Sequence, residues 1–126
     1  MIHDMSIITG NNITLLASQT VSIPSNFIIR TIGGAPSNDT FDSAENLVLA
    51  YIGDIDPANN NYAFTFTVYN SDATSSITMN PGTDVTINPV NPLTTDTIPP
   101  GSARIYLCVQ TSAVLGVSAT VGIYPY

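Results

Sequence analysis

Residues 62–70 read Tyr-Ala-Phe-Thr-Phe-Thr-Val-Tyr-Asn. Tyr62, Phe64, Phe66 and Val68 alternate with Ala63, Thr65, Thr67 and Tyr69. A strand sends successive side chains to opposite faces, so this pattern predicts a strand with one strongly apolar face. Nearly every residue is β-branched or aromatic, types that fit a pleated, half-buried surface. The stretch is expected to be a central strand of a β-domain. Its apolar face belongs in the core. The uncharged face of Ala63, Thr65, Thr67 and Tyr69 is the side where an assembly contact would form.

Two later stretches share this design. In Ala103–Gln110, the residues Ala103, Ile105, Leu107 and Val109 share one face, and Arg104, Tyr106, Cys108 and Gln110 the other. In Val117–Ile123, the apolar side carries Val117, Ala119, Val121 and Ile123. Shorter strands are expected at Ser6–Thr9, Ile13–Ala17, Gln19–Ile23, Phe27–Ile32, Ser75–Met79 (Ile77 and Met79 inward) and Val85–Ile87. Gly10-Asn11-Asn12, Pro24-Ser25-Asn26, Asn70-Ser71-Asp72-Ala73 and Asn80-Pro81-Gly82-Thr83 have turn chemistry. Gly33 to Asn38 is a loop by composition. Asn88 to Pro100 holds four prolines, and proline cannot donate to a ladder, so this is a loop or an extended edge.

One helix is predicted, over Asp42 to Tyr51. Asp42-Ser43-Ala44-Glu45 has the form of a capping box, and Ala44, Leu47, Val48 and Tyr51 make a stripe of helical period ending before Gly53. About ten residues of helix would not persist alone in water, so it should plug one end of the core or cover an edge. The expected fold is all-β: an antiparallel β-sandwich or jelly roll with one short α-helix near residues 42–51, in a single domain over 1–126.

Composition narrows the function. Charged residues are 9% of the 126, against about 25% in an average domain. Uncharged polar faces are cheap to desolvate, which suits packing against copies or within an assembly. Nine acids, two arginines and no lysine give a net charge of −7. Nucleic acid is excluded as a partner, since phosphate neutralisation needs clustered Lys and Arg, and an anionic membrane surface is disfavoured likewise. No apolar run approaches the ~20 residues of a span, and the N-terminus lacks a secretory signal. Asn12 and Asn38 open Asn-x-Ser/Thr triplets, read as chance in a chain rich in Asn and Thr. Starting at Met and ending at Tyr124-Pro125-Tyr126, the chain reads as a complete small protein.

A catalytic set is not expected. His3, the one histidine, sits near a fraying terminus, and Cys108, the one cysteine, lies mid-strand as a small hydrophobe. One His and one Cys cannot fill a zinc site. Asp39, Asp42 and Glu45 cluster as glycosidase carboxyls do, but helix capping accounts for them better. Asp54-Ile55-Asp56-Pro57-Ala58-Asn59-Asn60-Asn61 is the best calcium candidate, yet Ala58 stands where a ligand belongs and no glycine follows; a polar loop is the plainer reading. Gly33-Gly34 is a turn and not a phosphate cradle. No cofactor is expected. Tyr69, Tyr106 and Tyr124 lie opposite the main apolar register of their strands. They are read as interface or packing residues, or as rings that stack on a host glycan.

Several blocks carry a family likeness. Leu15-Leu16-Ala17-Ser18-Gln19 leads to Phe27-Ile28-Ile29-Arg30, then Asp39-Thr40-Phe41-Asp42-Ser43-Ala44-Glu45-Asn46-Leu47-Val48. Phe64 to Asn70 is followed by Ile77-Thr78-Met79-Asn80-Pro81-Gly82-Thr83-Asp84-Val85-Thr86. Thr97-Ile98-Pro99-Pro100-Gly101-Ser102-Ala103-Arg104-Ile105-Tyr106-Leu107 leads to Ala119 to Tyr124. In this order the blocks resemble a pattern in structural proteins of large DNA viruses and bacteriophages. Phe41-Asp42 replaces the family's Leu-Pro at the helix start, and Asp84 replaces a glycine. The resemblance implies a jelly-roll-like, non-enzymatic module at a virion surface: a decoration or vertex protein, or a fibre head. It implies a homotrimer whose partners are its own copies and other capsid proteins. It transfers no catalytic residue.

Overall fold

Ten strands form two sheets in the computed structural model, which describes residues 5–20, 26–60 and 62–126. In chain order they are β1 (Ser6–Thr9), β2 (Thr14–Leu15), β3 (Phe27–Thr31), β4 (Ser37–Phe41), β5 (Ala63–Asn70), β6 (Ile77–Asn80), β7 (Val85–Ile87), β8 (Asp96–Ile98), β9 (Ala103–Val114) and β10 (Ser118–Pro125). A single turn, α1 (Ala17–Thr20), follows β2; α2 (Ala44–Tyr51) and a 3-10 turn at Pro57–Asn59 lie between β4 and β5. Strands far outweigh helices among the described residues, so the fold is β-rich as expected. No helix among the described residues is long and apolar enough to cross a membrane. Gln19–Ile23, expected to be a strand, falls partly outside the described residues; its described part closes α1.

The six-stranded sheet runs β1-β3-β5-β9-β10-β7 and the four-stranded sheet β2-β4-β6-β8. Odd strands up to β9 lie in one and even strands up to β8 in the other, so consecutive strands swap sheets until the β9–β10 hairpin. This corrects the antiparallel expectation: strand orientation is mixed. Five ladders are parallel (β1–β3, β3–β5, β2–β4, β4–β6 and β7–β10), and three are antiparallel (β5–β9, β9–β10 and β6–β8). Parallel neighbours need a crossover connection. Here a strand of the opposite sheet supplies it. Gly10-Asn11-Asn12, which looks like a hairpin turn, is such a crossing; Gly10 (φ 118°) and Asn12 (φ 56°) take its positive-φ positions.

Between the sheets lies one apolar cluster. Phe41 of β4 meets Phe66 of β5 and Tyr106 of β9 edge-on, at ring separations of 6.0 and 5.1 Å. Ile77 and Met79 point inward as expected. Helix α2 buries Ala44, Leu47 and Val48, and Tyr51 donates its hydroxyl to the Ala63 carbonyl (2.7 Å). The helix starts later than expected. Ser43 is the N-cap, accepting from the Asn46 amide, while Asp42 accepts from the amides of Ser43 and Ala17 and ties α2 to α1.

Both arginines of the chain are spent between the sheets. Arg30 of β3 is fully buried and grips Asp39 of β4 with Nε and Nη2 at 2.6 and 3.0 Å. Its remaining donors reach the carbonyls of Ile8 (2.6 Å) and Gly10 (2.7 Å). Arg104 of β9 pairs with Asp96 of β8 at 3.1 Å, and Tyr106 donates to the same carboxylate oxygen at 2.8 Å. Each clamp joins one layer to the other.

β9 faces the opposite way from its hydrophobic pattern. Phe66 pairs with Tyr106 and Phe64 with Cys108 across the antiparallel ladder, and opposed residues share a face. Tyr106, Cys108 and Gln110 are therefore buried, while Ala103, Ile105, Leu107 and Val109 turn outward.

Candidate functional site

The outward face of the six-stranded sheet is built from rows that the register brings together. Ile7, Ile29, Tyr69 and Ala103 form one row across β1, β3, β5 and β9. Phe27, Thr67 and Ile105 form the next. Thr65, Leu107 and Tyr124 form the third, and Ala63, Val109, Gly122 and Thr86 the fourth. Ile7 is 68% exposed and Ile105 46%. Phe27, Ile29, Tyr69, Leu107, Val109 and Tyr124 are half-buried among their neighbours. No charged side chain stands in these rows. The described acids sit elsewhere: Asp39 and Asp96 in the clamps, Asp42 and Glu45 at the start of α2, Asp54 and Asp56 after it, Asp72 and Asp84 in turns.

The face has a defined border at β7. A Cβ on Gly122 would sit 2.5 Å from Cγ of Pro89, so the segment after β7 lies across that strand boundary. Leu93 pairs with Ile87 there, which covers the β7 edge.

Of the three tyrosines singled out from the sequence, the structure keeps two on this face. Tyr69 and Tyr124 stand in the first and third rows, separated by β9. Tyr106 does not join them. It is fully buried, so its reading as an interface or glycan contact is corrected: the β5 register turns it into the core. Burial, followed by the neighbouring Asp96 charge, pushes its hydroxyl far above the usual phenol range. The aliphatic residues Ile105, Leu107 and Val109 replace it as the surface-facing set. Their alternation was visible in the sequence, but that apolar face was assigned to the core.

The other motifs are occupied locally. Cys108 is buried, which pushes its thiol up to about 12. In the 54–60 part of the calcium candidate, Asn61 lying outside the described residues, Asp56 caps the 3-10 turn through the Ala58 amide (2.9 Å), Asn59 donates to the Asp54 carbonyl (3.4 Å), and Gln110 of β9 donates to the Asp56 carbonyl (2.9 Å). The Asn12 side chain accepts from the Asn38 amide at 2.9 Å. The Gly33-Gly34 turn is tied down by Asp72, which accepts from the Gly34 amide at 2.9 Å. His3 lies outside the described residues. Comparisons with protein-family models, curated proteins and solved structures find no match to this chain.

Proposed function

We propose that this protein is a non-enzymatic structural component that works by self-association, as a decoration, vertex or fibre-head domain at a virion surface. The observation that carries the assembly part is the uncharged, aliphatic-rich outer face of the six-stranded sheet. A strand at a solvent boundary normally turns its polar residues outward. β9 does the reverse, and large exposed apolar patches mark interaction sites. The virion setting comes from the block resemblance, as do the jelly-roll kinship and the other capsid proteins as partners; the resemblance also implies a homotrimer, an alternative to the pair that an isologous contact through this face would make.

Carbohydrate binding is the weaker reading. Tyr69 and Tyr124 lie two strands and two rows apart, roughly 17 Å by strand geometry. One pyranose does not span that distance. Light scattering on the purified protein, together with particle fractionation, tests the main reading. Self-association and co-purification with virions are expected. A strict monomer absent from particles would remove the proposal.

A further inference from the structure

We propose that the outer face of the six-stranded sheet docks the same face of a second copy of this chain, stacking the two as an added sheet-on-sheet layer. The inference rests on the assembly reading above and names its contact. Three observations carry it.

The first is the facing of β9. Its register with β5 places Ile105, Leu107 and Val109 outward and Arg104, Tyr106 and Gln110 inward. Water is a poor partner for such a row, and a second apolar sheet is a good one.

The second is charge. Each copy carries −7, so two copies repel least where they meet with no acid in the contact. Lysine is absent, and both arginines are engaged by Asp39 and Asp96, so copies have no spare Lys or Arg with which to bridge to each other's acids. A homotypic contact is therefore best made between uncharged surfaces, and the four rows of this face are free of ionised groups.

The third is area. The fourteen positions of the four rows, each covering ~4.8 by ~6.8 Å, give roughly 450 Å² per copy. Two copies together bury about 900 Å², close to the ~1,000 Å² expected of a specific interface. The β9–β10 hairpin tip also exposes aliphatics, Val114, Leu115 and Val117, but it is one turn wide and offers a small fraction of that area.

The test is light scattering on the full chain and on Leu107→Arg, Ile105→Arg and Leu115→Arg, with circular dichroism to verify the fold. Ile105 is 46% exposed, so its replacement leaves the core of a single copy intact should Leu107→Arg fail to fold. The expected result is a wild-type mass of twice 13.3 kDa, with Leu115→Arg unchanged. Leu107→Arg and Ile105→Arg should weaken pairing by ~100-fold or more, because an arginine would be desolvated without a partner. A trimer, or a pair that ignores both arginines on the face, overturns the face-to-face contact and leaves the assembly reading standing. A wild-type monomer at every concentration overturns the face-to-face contact, and one that is also absent from particles overturns the assembly reading with it.

Discussion

Arg30 makes four donor contacts, two to Asp39 and one each to the Ile8 and Gly10 carbonyls, and its own side chain is fully buried. Ser37 also donates to Asp39 at 2.6 Å, so the carboxylate is well supplied. Breaking such a pair from one side leaves an unpaired buried charge. Arg30→Met alone should lose ~3–5 kcal/mol in urea unfolding. Arg30→Met with Asp39→Leu should recover much of that, since removing both charges spares the desolvation cost. Asp72 acts in the opposite direction, from the surface. Amide donors of Thr74, Ser75 and Gly34 hold its carboxyl below the usual carboxylate range. Its contribution is therefore present above about pH 4 and is lost as the pH falls through its lower folded value. Asp72→Asn should flatten the acid limb of a stability–pH curve, measured by thermal melting. Cys108 should stay unreactive to a thiol reagent at neutral pH until the chain unfolds, since its thiol is buried and raised to about 12.

At the level of elements, the strands with clean alternation were largely legible: Phe66, Val68, Ile77, Met79, Ala119, Val121 and Ile123 are buried as the pattern assigned, but Tyr62 and Val117, which precede β5 and β10, are exposed and Phe64 is half-buried. Two strands stayed hidden for a physical reason. β4 presents Ser37, Asp39 and Phe41 inward, and two of these are polar because they serve the Arg30 clamp. β8 presents Asp96 and Ile98 inward between prolines, so it looks like loop. The facing of β9 was misread for a related reason: its inward residues, Arg104, Tyr106 and Gln110, bury polar groups whose partners lie on distant segments. Gly10-Asn11-Asn12 was read correctly as a break, Ser37 and Asn38 of the expected 33–38 loop belong to β4, and Pro24 and Ser25 lie outside the described residues; residue type does not say whether a break reverses a strand within its sheet or carries the chain to the other one. The turn after β6 illustrates how tight such a crossing is. A Cβ at Gly82 would collide with the backbone carbonyls of Phe41 and Asp42 at the entry to α2. Gly82→Ala should cost ~1–3 kcal/mol, read as a lowered urea midpoint.

For the whole molecule, an apolar contact between two acidic copies makes a salt prediction. Repulsion between copies of charge −7 weakens as the Debye length shrinks from about 10 Å at 0.1 M to about 3 Å at 1 M. Self-association should therefore strengthen with added sodium chloride, as read by sedimentation. An assembly held by salt bridges would loosen instead. The route of the chain sets a second property. The ten strands among the described residues have nine connections, and of these only β9 to β10 stays within one sheet. The remaining eight pass from layer to layer like thread through two pieces of cloth. Neither layer is a continuous stretch of chain that can peel away and leave the other intact. Local opening usually follows contiguous segments. Amides of the two sheets should then exchange with deuterium as one unit rather than as a stable layer and a labile one. The seam that makes this chain slow to assemble from distant contacts is also what would make it come apart all at once.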